Sequence, residues 1–320
     1  MKKNNVAIGI LAYDVEKYID NVVIDMLSLN VPLIVINDAS TDKTKSILEN
    51  YKKNKNFHYL ESKVNLGAGA STKMLLQKAR DLGFKFLIKV DGDAQFKKKD
   101  VKKILDKYFQ ENYDFVKSNR FWDKGIEGDI PRQRFFGNLL ATVFFQFSCG
   151  SNKLFDPLNG LFGVQTKILD FLDSKKYPNR YGYPFFISVT AVINKFKTYQ
   201  INNTVIYDKQ PSNLKAFKML FLLIKLTIFF YFKKIFIKQK LGEYQRSALL
   251  DKIFIFQLLL TMFNLALLYS DIYYLDITIL KTSTLLFLLI FNFVFGLILF
   301  FLSFSQENEL RNNYIKNEIL

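Results

Sequence analysis

The chain has 320 residues, half of them hydrophobic, which is enough to bury a full core and leave a second, smaller part. Its formal net charge is +16, yet the basic residues are not interleaved with aromatic residues in any motif that reads RNA or DNA. We therefore expect no nucleic-acid partner, and instead an anionic lipid surface or a phosphorylated substrate. A single cysteine, Cys149, excludes an internal disulfide.

The first third of the chain alternates short β-branched runs with segments of helical period, which is typical of strand-helix-strand units. Strands are predicted at residues 6–12, 33–37, 57–61, 84–90 and 114–118. Helices are predicted between them at residues 15–29, 42–53, 70–82 and 99–109. This alternation predicts an α/β fold with a parallel or mixed sheet, in which ligands lie beyond the carboxyl ends of the strands.

Two acids stand one residue apart where the fourth predicted strand ends, Asp91 and Asp93. Carboxylates presented by a strand end are hard oxygen ligands of the kind that Mg²⁺ or Mn²⁺ prefers. Asp-Gly is also a common turn, so the pair alone is equally explained as a loop. Asp38 follows the second strand in a segment that also fits a helix start, and a glycine turn begins at Asn65. Their position at the same edge favours a nucleotide pocket.

Three arginines follow the acidic pair, at Arg120, Arg132 and Arg134. The guanidinium fork matches phosphate oxygens, so a cluster of arginines suits a diphosphate and a second anion. A single surface arginine more often pairs with a nearby acid, which is the simpler explanation for each residue alone. Three within one short segment favour the anion-binding interpretation.

The last third of the chain is dominated by apolar residues. Residues 253–270 and 284–304 contain no charged side chain, and the second stretch is long enough to cross a bilayer. The soluble alternative is a helical hairpin that another domain would have to surround. The loop at 271–281 holds two acids and one lysine, whereas residues 209–252 hold ten basic residues against two acids. This asymmetry predicts an integral membrane protein with its main domain and both termini in the cytoplasm, in a bacterial inner membrane.

Residues 214–241 are apolar but contain regularly spaced lysines. Lys215, Lys218 and Lys225 share one helical face, which predicts helices lying in the membrane interface against anionic headgroups. Lys234 falls on the opposite face, so we expect a break in the helix before it. The predicted division is a main domain at 1–213, basic amphipathic helices at 214–252, two transmembrane helices at 253–304 and a cytoplasmic tail at 305–320.

Together these stretches resemble the family 2 glycosyltransferases with the GT-A fold. The likeness is to the polyprenyl-phosphate branch, similar to dolichol-phosphate mannose synthases, that carries two C-terminal membrane helices. The resemblance implies a nucleotide-sugar donor whose base is bound by Asp38, with Tyr13, Glu16, Asn65 and Asp91 in the same nucleotide-sugar pocket.

The same resemblance assigns the remaining site residues. Asp91, Asp93 and Gln95 match the Asp-x-Asp-x-Gln motif of the family, whose acids and glutamine hold Mg²⁺ or Mn²⁺ on the donor diphosphate. Arg120, Arg134 and Asn138 stand where such enzymes hold donor and acceptor phosphates. The implied catalytic residues are Asp91, Asp93, Arg120, Arg132 and Arg134.

Departures from the family pattern bear on the acceptor. Asn37 replaces the first acid of the usual pair, Asp14 stands where Asn is common, and Ile187 and Val189 lie where many relatives supply acids. A sugar-hydroxyl acceptor needs a general base, whereas a phosphate monoester is already largely anionic at neutral pH. The missing acids therefore favour an inverting transfer to a polyprenyl-phosphate lipid.

Two alternatives stay open at this point. One is transfer to a sugar hydroxyl of a glycolipid or polysaccharide, with Asp156 or Asp208 as the base. The other is a catalytically silent membrane scaffold that binds nucleotide or lipid. The sequence also leaves the oligomeric state open, including a homo-oligomer.

Overall fold

The computed structural model describes residues 5–121, 126–127, 132–203, 205–206, 216–273 and 282–317. The chain divides into two compact units, the first formed by residues 1–228 and 314–320 and the second by residues 229–313.

A mixed sheet forms the centre of the first unit. In the described parts of the chain its eight strands follow the order β10-β8-β5-β7-β4-β1-β2-β3, with only β7 antiparallel to its neighbours. Strands β6 and β9 pair in a separate parallel ladder. The strands are β1 Val6–Ala12, β2 Leu33–Asn37, β3 Phe57–Glu61, β4 Phe86–Asp91, β5 Phe115–Asn119, β6 Ile126–Glu127, β7 Phe162–Gln165, β8 Thr198–Asn202, β9 Val205–Ile206 and β10 Ile315–Asn317.

Helices cover the sheet and then form the second unit. They are α1 Ile19–Leu27, α2 Thr44–Glu49, α3 Ala68–Asp81, α4 Lys98–Glu111, α5 Arg132–Cys149, α6 Tyr183–Ile193, α7 Ala216–Lys240, α8 Gln245–Tyr273 and α9 Thr282–Asn312. The predicted α/β class is confirmed. Helices α1 and α2 begin later than predicted, because the residues before them are held in loop-to-loop hydrogen bonds.

The first three predicted strands match the structure residue for residue, and the bounds of the next two differ by one or two residues. Strands β1, β2, β4 and β5 consist almost entirely of buried residues, as expected for strands covered on both sides, whereas β3 is only partly buried. The register pairs Ala12 with Asn37 and Leu11 with Asp91. The carboxyl ends of β1, β2 and β4 therefore lie together at one edge of the sheet.

Helix α7 runs without interruption from Ala216 to Lys240, so the predicted break before Lys234 is wrong. The side chain of Lys234 is buried, and its Nζ lies 2.9 Å from Glu307 in α9. Because an acid on another helix pairs with this lysine, the helix has no need to turn it toward solvent. Lys218 and Lys225 are exposed, and Lys215 lies outside the described residues, so the predicted contact of this face with anionic headgroups stays a prediction.

Two helices in the described part of the chain are long and apolar enough to cross a membrane, by length and composition. They cover Gly242–Ser270 and Ser283–Asn312, and they contain the two stretches predicted as spans. Most of their apolar side chains are exposed, unlike those of a helix in a soluble core. The segment predicted as a tail differs from the expectation, since α9 continues to Asn312 and Ile315–Asn317 joins the sheet beside β8.

Candidate active site

The loops after β1 and β2 are tied to each other at the carboxyl edge of the sheet. The backbone N–H of Thr41 donates to Asp14 Oδ1 at 2.7 Å, and the N–H of Lys43 donates to Glu16 Oε2 at 2.9 Å. Glu16, predicted to line the nucleotide pocket, therefore holds the second loop in place. Tyr13 beside them is 45% exposed, and the charge and hydrogen bond of Asp14 raise its pKa. An exposed aromatic ring at this edge is available to stack on a base.

Asp38 is 2% exposed and shapes the glycine turn that precedes α3. Its two carboxylate oxygens accept the backbone N–H groups of Leu66 and Gly67, each at 2.9 Å. Asn65 lies in the same turn, and its buried Oδ1 has no hydrogen-bond partner among the described residues. The structure thus brings Asp38 and Asn65 together as predicted, but it gives Asp38 a structural task that the sequence did not reveal.

Asp38→Asn is expected to lower the free energy of unfolding by about 2 kcal/mol. The amide keeps the size of the side chain but turns one acceptor into a donor that faces a backbone N–H, so one buried N–H loses its partner. Thermal unfolding of the purified protein measures the effect. An unchanged melting temperature would contradict the role of Asp38 in holding the turn.

The acidic pair lies at the end of β4 and beside a buried lysine. Lys89 Nζ donates to Asp91 Oδ1, and burial of this ammonium is outweighed by Asp91 and Tyr183, which raise the pKa of Lys89 above its usual range. A Cβ on Gly160 would lie 2.6 Å from Asp91 Oδ2, so a side chain at this position would displace the carboxylate. Burial and the negative charge of Asp91 raise the pKa of Asp93 to about 6.

The donor set fits a divalent cation that prefers oxygen. Asp91 and Asp93 supply carboxylate oxygens, and Gln95 supplies the oxygen of its side-chain amide. The backbone N–H of Gln95 donates to Asp93 Oδ1 at 3.2 Å. A divalent cation held by these carboxylates would offset the negative charge of Asp91 that, after burial, raises the pKa of Asp93. Within the described ranges no cluster of three or more His, Cys, Asp or Glu side chains forms. Such a site takes its remaining ligands from water and substrate phosphates.

A second cluster forms around Asp156, which is fully buried. Arg120 donates to it through Nε at 2.8 Å and Nη2 at 2.7 Å, and Asn138 Nδ2 donates to Oδ1 at 3.0 Å. Burial acts to raise the pKa of Asp156, but the charge of Arg120 outweighs it and holds the pKa below its usual range. A carboxylate so occupied is a poor general base, which weighs against the role considered for Asp156 from the sequence.

Several predicted residues are only partly described. The backbone of Arg132 and Arg134 forms the first turn of α5, and their side chains lie outside the described residues, as does Asp208. Ile187 and Val189 are fully buried in α6 and pack into the interior. Sequence reasoning missed Lys89 and the partnership of Arg120 with Asp156, because each depends on contacts that no local pattern records.

Strained backbone is concentrated at this edge of the first unit. Seven described residues other than glycine have a positive φ, and four of them belong to the candidate site or adjoin its residues: Asp14 follows Tyr13, Ala39 follows Asp38, Ala94 lies between Asp93 and Gln95, and Asp156 binds Arg120. Left-handed backbone costs an L-residue roughly 1–2 kcal/mol, and it persists where the surrounding contacts enforce it. Such positions are typical of binding and catalytic sites.

This mixed sheet, with an acidic pair at the carboxyl ends of its central strands, is the GT-A fold of nucleotide-sugar enzymes. The chain belongs to glycosyl transferase family 2, whose family model matches residues 7–192. It is also 25% identical over 226 residues to an uncharacterized protein of Methanocaldococcus jannaschii, which covers 69% of this chain and 96% of that protein.

Solved structures share the fold at low identity. Glucosyl-3-phosphoglycerate synthase of Mycobacterium tuberculosis, in complex with Mn²⁺, UDP and glucosyl-3-phosphoglycerate, is 17% identical with a TM-score of 0.51. The match covers 72% of this chain and 80% of that one. The same enzyme with Mn²⁺, UDP-glucose and glycerol 3-phosphate gives a TM-score of 0.50 over the same coverage, again at 17% identity. These likenesses show the fold alone.

Proposed function

We propose that this protein is a metal-dependent, inverting glycosyltransferase that moves a sugar from a nucleotide-sugar donor to a polyprenyl phosphate at the cytoplasmic membrane face. The observation that carries the proposal is the presence in the first unit of two clusters: the Asp91 and Asp93 carboxylates at the end of β4, and the buried Asp156 with Arg120 and Asn138 bound to it. The first suits a metal-bound diphosphate, and the second suits an anionic acceptor while offering no available base.

On the donor side, Tyr13 and the Asn65 turn would hold the nucleoside, and Asp91, Asp93 and Gln95 would hold Mg²⁺ or Mn²⁺. When bound, the metal neutralises the charge that develops on the departing nucleoside diphosphate. Lys89 fixes the orientation of the Asp91 carboxylate through the hydrogen bond that its Nζ donates to Oδ1. The complexes of the mycobacterial synthase with Mn²⁺ and UDP-glucose support this use of the fold.

On the acceptor side, Arg120 and the arginines of the first turn of α5 would hold a phosphate monoester for in-line attack. A phosphate oxygen attacks the anomeric carbon, the bond from that carbon to the donor diphosphate breaks, and the diphosphate leaves with the electron pair. The configuration at the carbon inverts. Because the attacking oxygen is already anionic, no proton has to be removed.

Membrane attachment supports a lipid acceptor. Helices α8 and α9 are candidate spans, and the basic residues before them favour a cytoplasmic location for the first unit. The mycobacterial synthase was solved with phosphoglyceric acid and with glycerol 3-phosphate, so this fold accommodates phosphate-bearing molecules in that enzyme.

The test uses the purified full chain in detergent with radiolabelled nucleotide sugars, Mn²⁺ and either undecaprenyl phosphate or a glycolipid. We expect label to enter the lipid phosphate, and we expect mild acid to release it, because a glycosyl phosphate hydrolyses readily. A product that resists mild acid would replace this function with transfer to a sugar hydroxyl. If the protein neither transfers sugar nor hydrolyses any donor in a metal-dependent reaction, it is a catalytically silent binding protein.

A further inference from the structure

Lys117 is a buried cation whose Nζ makes no hydrogen bond within the part of the chain that the structure describes. It lies in the middle of β5, and its side chain is fully buried. Nζ sits 5.9 Å from the centre of the Phe145 ring, which gives it a weak aromatic contact in place of an acid. Burying a charge without a hydrogen-bonded partner lowers the stability of the fold, so such a lysine is a candidate for a functional role.

A second buried lysine in the same sheet, Lys89, is paired with an acid and provides a comparison. The register pairs Lys89 with Phe162 and Phe162 with Lys117, so the two lysines flank one phenylalanine in a single row across the sheet. Residues directly opposite in paired strands point to the same face. Lys89 is neutralised by Asp91, one member of the acidic pair, whereas the acid that acts on Lys117 is Asp156, which makes no hydrogen bond to it.

The charges around Asp156 do not balance. Arg120 and Asp156 neutralise each other, and Asn138 adds no charge. Lys117 interacts electrostatically with both Asp156 and Arg120, so the buried cluster carries one positive charge in excess. Arg120 is the member that reaches solvent, with 16% of its side chain exposed, while Lys117 and Asp156 are fully buried.

We propose that Lys117 gives the Arg120–Asp156 pair its net positive charge and thereby makes this cluster the anion site for the phosphate monoester of the acceptor. The inference rests on the proposed function and deepens it. An ion pair alone is neutral and attracts a phosphate weakly. A buried cation near the pair attracts an anion bound at Arg120 more strongly than an exposed cation would, because the protein interior screens charge less than water does. Lys117 is a positioning residue, since it acts through the pair and does not contact the acceptor.

The proposal has a consequence for pH dependence. The ionisable groups that act on Lys117 are Asp156, Arg120 and Cys149. Burial lowers the pKa of Lys117 to about 8, against the opposing effect of Asp156. The lysine is therefore charged at neutral pH and becomes neutral as the pH rises through about 8. Affinity for a phosphate monoester should accordingly be highest near pH 7, where the phosphate is largely a dianion, and fall as the pH rises through about 8.

The test compares the full chain with Lys117→Met, which keeps an unbranched side chain of similar length. Isothermal titration measures binding of glycerol 3-phosphate and of farnesyl phosphate, and separately of UDP with Mn²⁺. We expect phosphate affinity to fall by about tenfold or more, with UDP binding and the melting temperature not reduced. Lys102→Met, which removes an exposed charge on α4, is the matched control and should leave all three unchanged.

Equal phosphate affinity in Lys117→Met and wild type would overturn the inference, as would a wild-type affinity that stays constant from pH 7 to pH 9. The wild-type pH series needs no variant, so the inference stays testable even if the variant folds poorly. If wild type transfers sugar to undecaprenyl phosphate and Lys117→Met does so with unchanged KM, the inference fails while the proposed function stands. If wild type binds neither probe, both fail. Binding of farnesyl phosphate alone identifies a lipid as the source of the phosphate.

Discussion

Asp93→Ala is expected to reduce sugar transfer by at least about 100-fold and to abolish the Mn²⁺-dependent part of UDP binding. The side chain is one of two carboxylates in the proposed metal site, and its neighbour Asp91 already has one oxygen engaged by Lys89. A single remaining acid and an amide would hold a divalent cation weakly. Transfer of labelled sugar and titration of UDP with and without Mn²⁺ measure the two effects.

Asp25→Ala is the control for this experiment, because it removes an exposed acid on α1 and alters the net charge equally. It should leave transfer and UDP binding unchanged. Undiminished transfer by Asp93→Ala would remove the metal role from this motif. A loss of transfer with unaltered Mn²⁺-dependent UDP binding would instead assign Asp93 to the sugar or acceptor.

Gly69→Ala is expected to destabilise the first unit by about 3 kcal/mol or more. Helix propensity alone predicts a gain of about 1 kcal/mol, since Gly69 lies inside α3. The new Cβ would lie 2.0 Å from the backbone carbonyl oxygen of Pro178, and a backbone atom cannot rotate away. The clash therefore outweighs the propensity. Thermal or urea unfolding of the protein in detergent measures the change.

Gly137→Ala is the matched control on another helix. Gly137 lies inside α5 and is exposed, and no neighbouring atom of the described residues lies within 4 Å of the position of a Cβ. Only the propensity acts there, so we expect stabilisation by about 0.5–1 kcal/mol. If both variants changed stability in the same direction and by similar amounts, the close approach at Gly69 would not be the cause.

The sequence predicts β1 to β5 to within two residues because short apolar or β-branched runs there alternate with segments of helical period, but it predicts none of β6 to β10. The helix boundaries are harder, since the starts of α1 and α2 depend on hydrogen bonds between loops, such as that from Thr41 N–H to Asp14, that bring together distant residues. The break expected before Lys234 fails for the same kind of reason. The local sequence shows that Lys234 falls on the opposite helical face from the other lysines, but it does not show that Glu307 on another helix pairs with it.

The glycine turn is a further case. From the sequence alone, the glycines at 67 and 69 are weak evidence for a phosphate-binding turn. In the structure these glycines allow the backbone near Pro178 to approach α3, and Tyr177 Oη donates to the Gly69 carbonyl across 108 residues of sequence. Only Gly67, with φ of 92°, is also required by its own conformation.

The candidate site divides in the same way between local and distant information. Asp91, Asp93 and Gln95 are recognisable because their spacing carries the chemistry within five residues. The cluster at Asp156 is not, since Arg120 lies 36 residues earlier in the chain. The sequence offers Asp156 as a possible base, and the ion pair that removes that possibility appears only once the chain is folded.

The edge strand β10 bears on how the first unit can be produced without the apolar helices. Ile315–Asn317 pairs with β8 and follows α9 in the chain, so the second unit is inserted between two parts of the first. A protein shortened simply at residue 213 would leave the edge of β8 unpaired, and exposed edges promote aggregation. A version in which a flexible linker replaces residues 229–313 would retain the strand. A protein intended for crystallisation of the first unit should therefore contain both residues 1–228 and residues 314–320.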